Sequence, residues 1–275
     1  MRILITRAIT GAIFVAIVVG SFFAPVAVFQ IIFLAFALLA VREYLHIASE
    51  DAHPQSFMPF LLTTLLYSAF HLLVYSVSLS LLLFLICLLF ALCIPIIELY
   101  RKKDKPLSNI SVSLFPLLWI ALPFGIIGMW TYFLEAGSTV LALFILIWLN
   151  DTLAYCAGSL FGKHKLFERI SPKKSWEGFI AALVLTSAAS AAFHYIPFFR
   201  SPVLSNVGLW IGFSIVVIVF STFGDLTESL FKRSSNIKDS GHILPGHGGI
   251  LDRFDSFLFA APAGFIYWFA IYYFS

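Results

Sequence analysis

Long apolar runs, following one another with only short polar breaks, constrain this chain more than any other feature. They fall at residues 8–24, 26–47, 57–77, 79–100, 107–133, 138–161, 177–198, 207–230 and 254–274. Nearly all are about 17 to 25 residues long, the length a helix needs to cross a hydrocarbon core of about 30 Å. In hydrocarbon every backbone polar group must be satisfied within the segment, which leaves helices as the natural reading of such runs. The expected fold is therefore all-α: a polytopic transmembrane helical bundle of about nine spans. With 61% hydrophobic and 11% charged residues and a mean hydropathy of +0.98, a water-soluble globule is excluded.

Two runs need individual reading. The first follows Arg2 and Arg7 and imitates a signal peptide, but no small-residue cleavage site precedes the next run, so it reads as a retained span. The fifth is interrupted by Pro116 and Pro123 and is longer than one crossing requires, which points to a kink or a re-entrant pair. The cysteines Cys87, Cys93 and Cys156 lie inside apolar runs without a CxxC pair, and are expected to be buried structural thiols.

Charge supplies the orientation. With nine spans, the amino terminus and alternate loops share one side, and that side collects sixteen of the seventeen Lys and Arg residues, leaving only Arg200 opposite. Positive residues gather in short cytoplasmic loops, so the amino terminus is expected in the cytoplasm. The basic run 101–106 reads as a lipid-facing topology signal rather than a site. No nucleic-acid partner is expected.

Chemistry is concentrated in the second half. The expected division is residues 1–140 as scaffold helices and 141–275 as the catalytic region. Asp151 lies within the sixth run, where a charge at the helix centre costs about 2.5 to 3.5 kcal/mol, so it should face a wet cavity or a partner. Asn150 is its neighbour, and Tyr155 stands one turn along the same face. Gly158 and Gly162 form a GxxxG step, a packing signal. Lys173, Lys174 and Ser175 precede a helix start, where ammonium groups and free amides both attract phosphate.

The densest polar tract runs from residue 224 to 256. Asp225, Glu228, Ser229 and Lys232 share one helical face. Asp252 and Asp255 are three apart at a helix start, and could hold a divalent cation together with Asp225. All-oxygen ligation favours Mg²⁺ or Mn²⁺ over zinc. Between them, Pro245-Gly246-His247-Gly248-Gly249 lets backbone approach a ligand closely. Lys232, Arg233, Lys238 and Arg253 add cationic groups. Carboxylates for a cation and bases for anionic oxygens suit phosphoryl or nucleotidyl transfer, in which positioning and charge stabilisation carry the catalysis.

Ser229, Lys232-Arg233, Lys238-Asp239, Gly241, Leu244-Pro245, His247-Gly248-Gly249, Asp252-Arg253 and Asp255 together resemble the full signature of the phosphatidate cytidylyltransferases. Asp151–Gly162 and Ser171–Gly178 resemble the same family, whereas residues 1–140 match it only in being membrane spans. The resemblance implies an enzyme of the bacterial inner membrane, with its site facing the cytoplasm, that joins CTP to phosphatidic acid and releases pyrophosphate. It also implies a homodimer and a required divalent cation, with a second cation left open.

On matching positions, Asp225 and Asp252 are the expected metal ligands, and Asp225, Asp252, Lys232, Arg233 and Asp255 the expected catalytic set. Asp151, Lys173, Lys174, Ser175, Glu228, Ser229, Lys238, His247, Gly248, Gly249 and Arg253 are expected to bind substrate. Two other enzyme readings stay open at this point, a CTP-dependent polyprenol or phytol kinase and a cytidylyltransferase for another lipid phosphate. A transporter is the reading from a different class, disfavoured because the polar tract is confined to one face.

Overall fold

The computed structural model describes residues 2–133, 136–235, 237, 240, 241, 243, 246 and 248–274, without the side chains of residues 2–5, 7 and 136. Helix dominates: α1 (Arg2–Phe23), α2 (Val26–Ala48), α3 (Met58–Leu73), α4 (Val77–Arg101), α5 (Pro106–Pro116), α6 (Leu122–Trp130), α7 (Ala136–Phe161), α8 (Trp176–Ser190), α9 (Val207–Ser234) and α10 (Leu251–Phe274). Among the described residues seven helices are long and apolar enough to cross a membrane, while Ala8–Phe23 and Met58–Leu73 are apolar but shorter. The protein is an integral membrane protein.

Local chemistry explains where these helices begin and bend. Ser76 caps α4 by accepting from the Leu79 amide at 3.4 Å, and Pro59 and Pro106 occupy first-turn positions where a missing N–H costs nothing. The fifth run is one continuous helical path. Immediately after Pro116 the backbone forms a π-turn, Leu117–Ala121, and then resumes as α6. Proline cannot supply the usual backbone donor, and a wider turn re-routes the hydrogen bonds without breaking the span.

One element departs from the all-helical expectation. Residues Lys165–Phe167 (β1) and Ser171–Ser175 (β2) pair antiparallel as a hairpin between α7 and α8. The segment is too polar and too short for a span, so its backbone satisfies itself by local pairing.

The chain divides into two compact units, one made of Met1–Met129 and Phe231–Phe254, the other of Trp130–Leu230 and Asp255–Ser275. In the first unit, Phe29, Phe33 and Phe36 form a buried stripe along α2. Phe254 meets Phe14, Phe36 and Phe124 at ring separations of 5.6, 5.2 and 5.0 Å. In the second, Trp130 packs on Trp268 at 5.7 Å, and Phe144 stacks on Phe257 at 5.2 Å. These phenylalanines thus serve helix packing. Helices α8 and α9 are also stitched by Ser190, whose hydroxyl reaches the Ser214 hydroxyl and the Trp210 carbonyl, both at 3.2 Å.

The cysteine expectation needs correction. Cys87 is buried, but Cys93 is half-buried and Cys156 is exposed on α7. In a spanning helix an apolar side chain can face lipid as readily as a neighbouring helix, so lying in an apolar run does not imply burial within the protein.

Candidate active site

The second unit contains a cavity of about 630 Å³. Its lining includes Asn150, Asp151 and Tyr155 of α7, Lys165, Lys173, Lys174 and Ser175 of the hairpin, and Asp225 of α9. Five expected site residues, Asp151, Lys173, Lys174, Ser175 and Asp225, are therefore brought together from three separate stretches. The volume lies within the range of small-molecule sites, about 300 to 1,000 Å³.

Each wall has a local cause. Helices α7 and α8 approach so closely that a Cβ on Gly178 would meet the Ala154 carbonyl oxygen at 2.8 Å and the Gly158 Cα at 3.0 Å. The GxxxG step is thus a packing seam that sets one side of the cavity. Ser175 is buried and caps α8, its hydroxyl accepting from the Gly178 amide at 3.2 Å. Glu177 fastens the start of the hairpin: its carboxylate accepts from the Lys163 amide at 3.1 Å and the His164 amide at 3.2 Å, and meets His164 Nδ1 at 2.6 Å. With Trp176 N donating to the His164 carbonyl at 2.9 Å, the hairpin is held where its lysines line the cavity.

Charge is arranged in opposition. Lys174 forms an ion pair with Asp225, and Ser229 donates to Asp225 Oδ1 at 3.2 Å. Asp255 accepts from the Ser256 amide at 2.5 Å and lies within electrostatic reach of Asp225, Glu228 and Asp151. Among the described residues no three His, Cys, Asp or Glu side chains are placed to hold a metal ion. The donor chemistry nevertheless fits a hard cation. Several carboxylates lie in one region beside the lysines, and Mg²⁺ binds through one or two carboxylates, with phosphates and water completing its shell.

The rest of the expected set belongs to the first unit. Asp252 accepts from Lys232 Nζ at 2.7 Å, from the Gly249 amide at 2.7 Å and from the Ser240 amide at 3.0 Å. Gly248 adopts a φ of 82°, a left-handed conformation open to glycine with little strain. Arg233 and Arg253 are exposed. Lys238 and His247 lie outside the described residues. Asp252 and Asp255, one helical turn apart, thus have different partners.

Sequence reasoning missed Asn150, Lys165 and Glu177 as site-shaping residues. Asn150 is buried, its Oδ1 has no hydrogen-bond partner among the described residues, and it lines the same cavity. Its signal was available, since a buried amide beside an intramembrane aspartate needs a partner. Lys165 reads in the sequence only as part of a positive loop.

The chain matches the cytidylyltransferase family along residues 5–271. It is 47% identical over 128 residues to the phosphatidate cytidylyltransferase of Staphylococcus aureus (strain COL), covering 46% of this chain and 48% of that protein. It is 46% identical over 125 residues to the phosphatidate cytidylyltransferase of Haemophilus influenzae, covering 45% of this chain and 43% of the relative. The chain thus spans about half the length of the curated relatives it matches. With the match running through both units and across the cavity, this chain belongs to the cytidylyltransferase family.

Proposed function

We propose that the protein transfers CMP from CTP to phosphatidic acid, giving CDP-diacylglycerol and pyrophosphate. The observation that carries this reading is the single cavity in which Lys165, Lys173 and Lys174 face Asp151 and Asp225, in a chain of the cytidylyltransferase family. A triphosphate needs cationic side chains around its oxygens, and a bound cation needs carboxylates; the cavity supplies both.

In the proposed reaction a phosphate oxygen of phosphatidic acid attacks the α-phosphorus of CTP. The new P–O bond forms as the α–β bond breaks, and the electron pair leaves with pyrophosphate. A phosphate monoester is already a competent nucleophile near neutral pH, so no side-chain nucleophile is required. Lys173 and Lys174 hold the phosphate oxygens and offset charge that grows on the leaving group. Asp225 and Asp151 would hold a Mg²⁺ or Mn²⁺ ion, which when bound screens the triphosphate and polarises it for attack. Asp252 joins Asp225 as a proposed metal ligand through its place in the signature, and Lys232 and Arg233 remain proposed phosphate contacts on the same ground.

The remaining features of the reading are nine spans, a cytoplasmic amino terminus and a site facing the cytoplasm at a bacterial inner membrane. They are supported by the one-sided distribution of Lys and Arg. A homodimer enters through the family resemblance.

Purified protein in detergent, given phosphatidic acid, Mg²⁺ and CTP labelled at the α-phosphate, should yield labelled lipid and free pyrophosphate. Label passing to lipid only from γ-labelled CTP would replace this reading with a lipid kinase. No transfer from either label would reject both.

A further inference from the structure

We infer that Glu43, in α2, is the positioning residue for the glycine-rich loop that leads into α10. Its carboxylate is buried, with one oxygen accepting from the Ile250 amide at 3.0 Å and the other from the Leu251 amide at 2.8 Å and the Ser240 hydroxyl at 3.2 Å. These partners lie about two hundred residues further along the chain. The inference rests on the proposed activity only in its kinetic arm.

Two carboxylates hold the described residues of the loop. Asp252 takes the Ser240 and Gly249 amides, while Glu43 takes the Ser240 side chain and the first amides of α10. No side chain at the local cap position can do this work, because that position is Ile250. A helix start buried without an acceptor leaves orphan donors, so the acceptor is brought from α2.

The glycines of the signature fit around this carboxylate. A Cβ on Gly241 would meet Glu43 Oε1 at 2.6 Å, and one on Gly249 would meet the Glu43 carboxyl carbon at 2.6 Å. Two of the loop's glycines therefore serve the approach of Glu43. The neighbouring Arg42 is exposed, so Glu43 alone of this acidic–basic pair turns inward. A carboxylate within a spanning helix is costly unless it is well hydrogen-bonded, and both of its oxygens are used as acceptors of backbone N–H groups. Glutamine cannot replace it, since either orientation of the amide sets an NH₂ group against a backbone donor.

The test uses the full chain in detergent. Glu43→Gln should make the amides of Ile250 and Leu251 exchange about tenfold faster, the effect of losing a charge-assisted hydrogen bond, with exchange in α7 and α8 unchanged. The same variant should lower kcat/KM for CTP about tenfold while leaving KM for phosphatidic acid in place, because the loop's backbone amides are assigned to the nucleotide. Gly241→Ala, which leaves Glu43 intact but pushes its carboxylate aside, should reproduce both effects and serves where the Glu43 variant does not fold. Combined with Glu43→Ala it should add little further loss.

Unchanged exchange at Ile250 and Leu251 would overturn the inference, as would faster exchange with unaltered CTP kinetics or full additivity of the two substitutions. If the unsubstituted protein turned over no CTP at all, the proposed function would fall. The exchange measurement alone would then decide whether Glu43 holds the loop.

Discussion

At the scale of single residues, the carboxylates divide by their partners. Asp225 lines the cavity and pairs with Lys174. Asp225→Asn should reduce turnover about 100-fold or more, the size of losing a key electrostatic contact, while expression and membrane insertion stay normal; retained turnover in purified protein would remove Asp225 from the metal site. Asp252 is different, because it is held by Lys232 with both side chains largely buried, 13% and 9% exposed. Breaking such a pair leaves an uncompensated charge, so Asp252→Ala should cost about 3 kcal/mol of stability as well as activity, visible as a lower melting point in detergent. Lysine-to-alanine changes at 173 and 174 should raise KM for CTP, and steady-state kinetics will measure the size of each effect. The attraction of phosphate to a basic stretch before a helix was legible in the sequence. That Lys174 would be shared with Asp225 was not, since the two are contributed by separate elements.

At the scale of elements, the hairpin and the α7–α8 seam set the cavity walls. Ser175→Ala removes the cap of α8 and should destabilise its first turn by about 1 kcal/mol, with a modest loss of activity. Gly178→Val should do far more, because even a Cβ there meets backbone of α7 and backbone cannot swing aside. The expected outcome is strong loss of CTP turnover, with the variant still inserted in the membrane, measured beside Ser175→Ala in one assay. Helix positions were readable because the spans are encoded by local hydropathy: the run 26–47 became Val26–Ala48, and 79–100 became Val77–Arg101. The hairpin was not readable, since residues 163–175 carry lysines and no alternating apolar pattern to mark strands. Nor did the two prolines of the fifth run reveal whether the helix would break; the π-turn after Pro116 lets it continue.

For the whole molecule, the Lys and Arg distribution makes a topological prediction. Single cysteines placed at Lys103 and Arg169 should be labelled from the cytoplasmic side, and one placed at the exposed Ser205 only from the other side. Labelling of all three from one side would reject the nine-span arrangement. The Lys103 and Arg169 segments are exposed, so a reagent can reach them without unfolding the protein.

The sequence by itself determined that the chain would form apolar spanning helices, and where its reactive polar tracts would lie. Both follow from the chemistry of stretches a few tens of residues long, in which hydrocarbon demands helix and charge resists burial. Only the tertiary structure decided which polar groups meet. Asp252 and Asp255 sit on one helix at neighbouring positions yet acquire different partners, and Glu43, in a half of the chain with no recognisable chemistry, reaches the start of α10. Contacts between distant segments depend on how helices pack, which spacing along one helix does not encode.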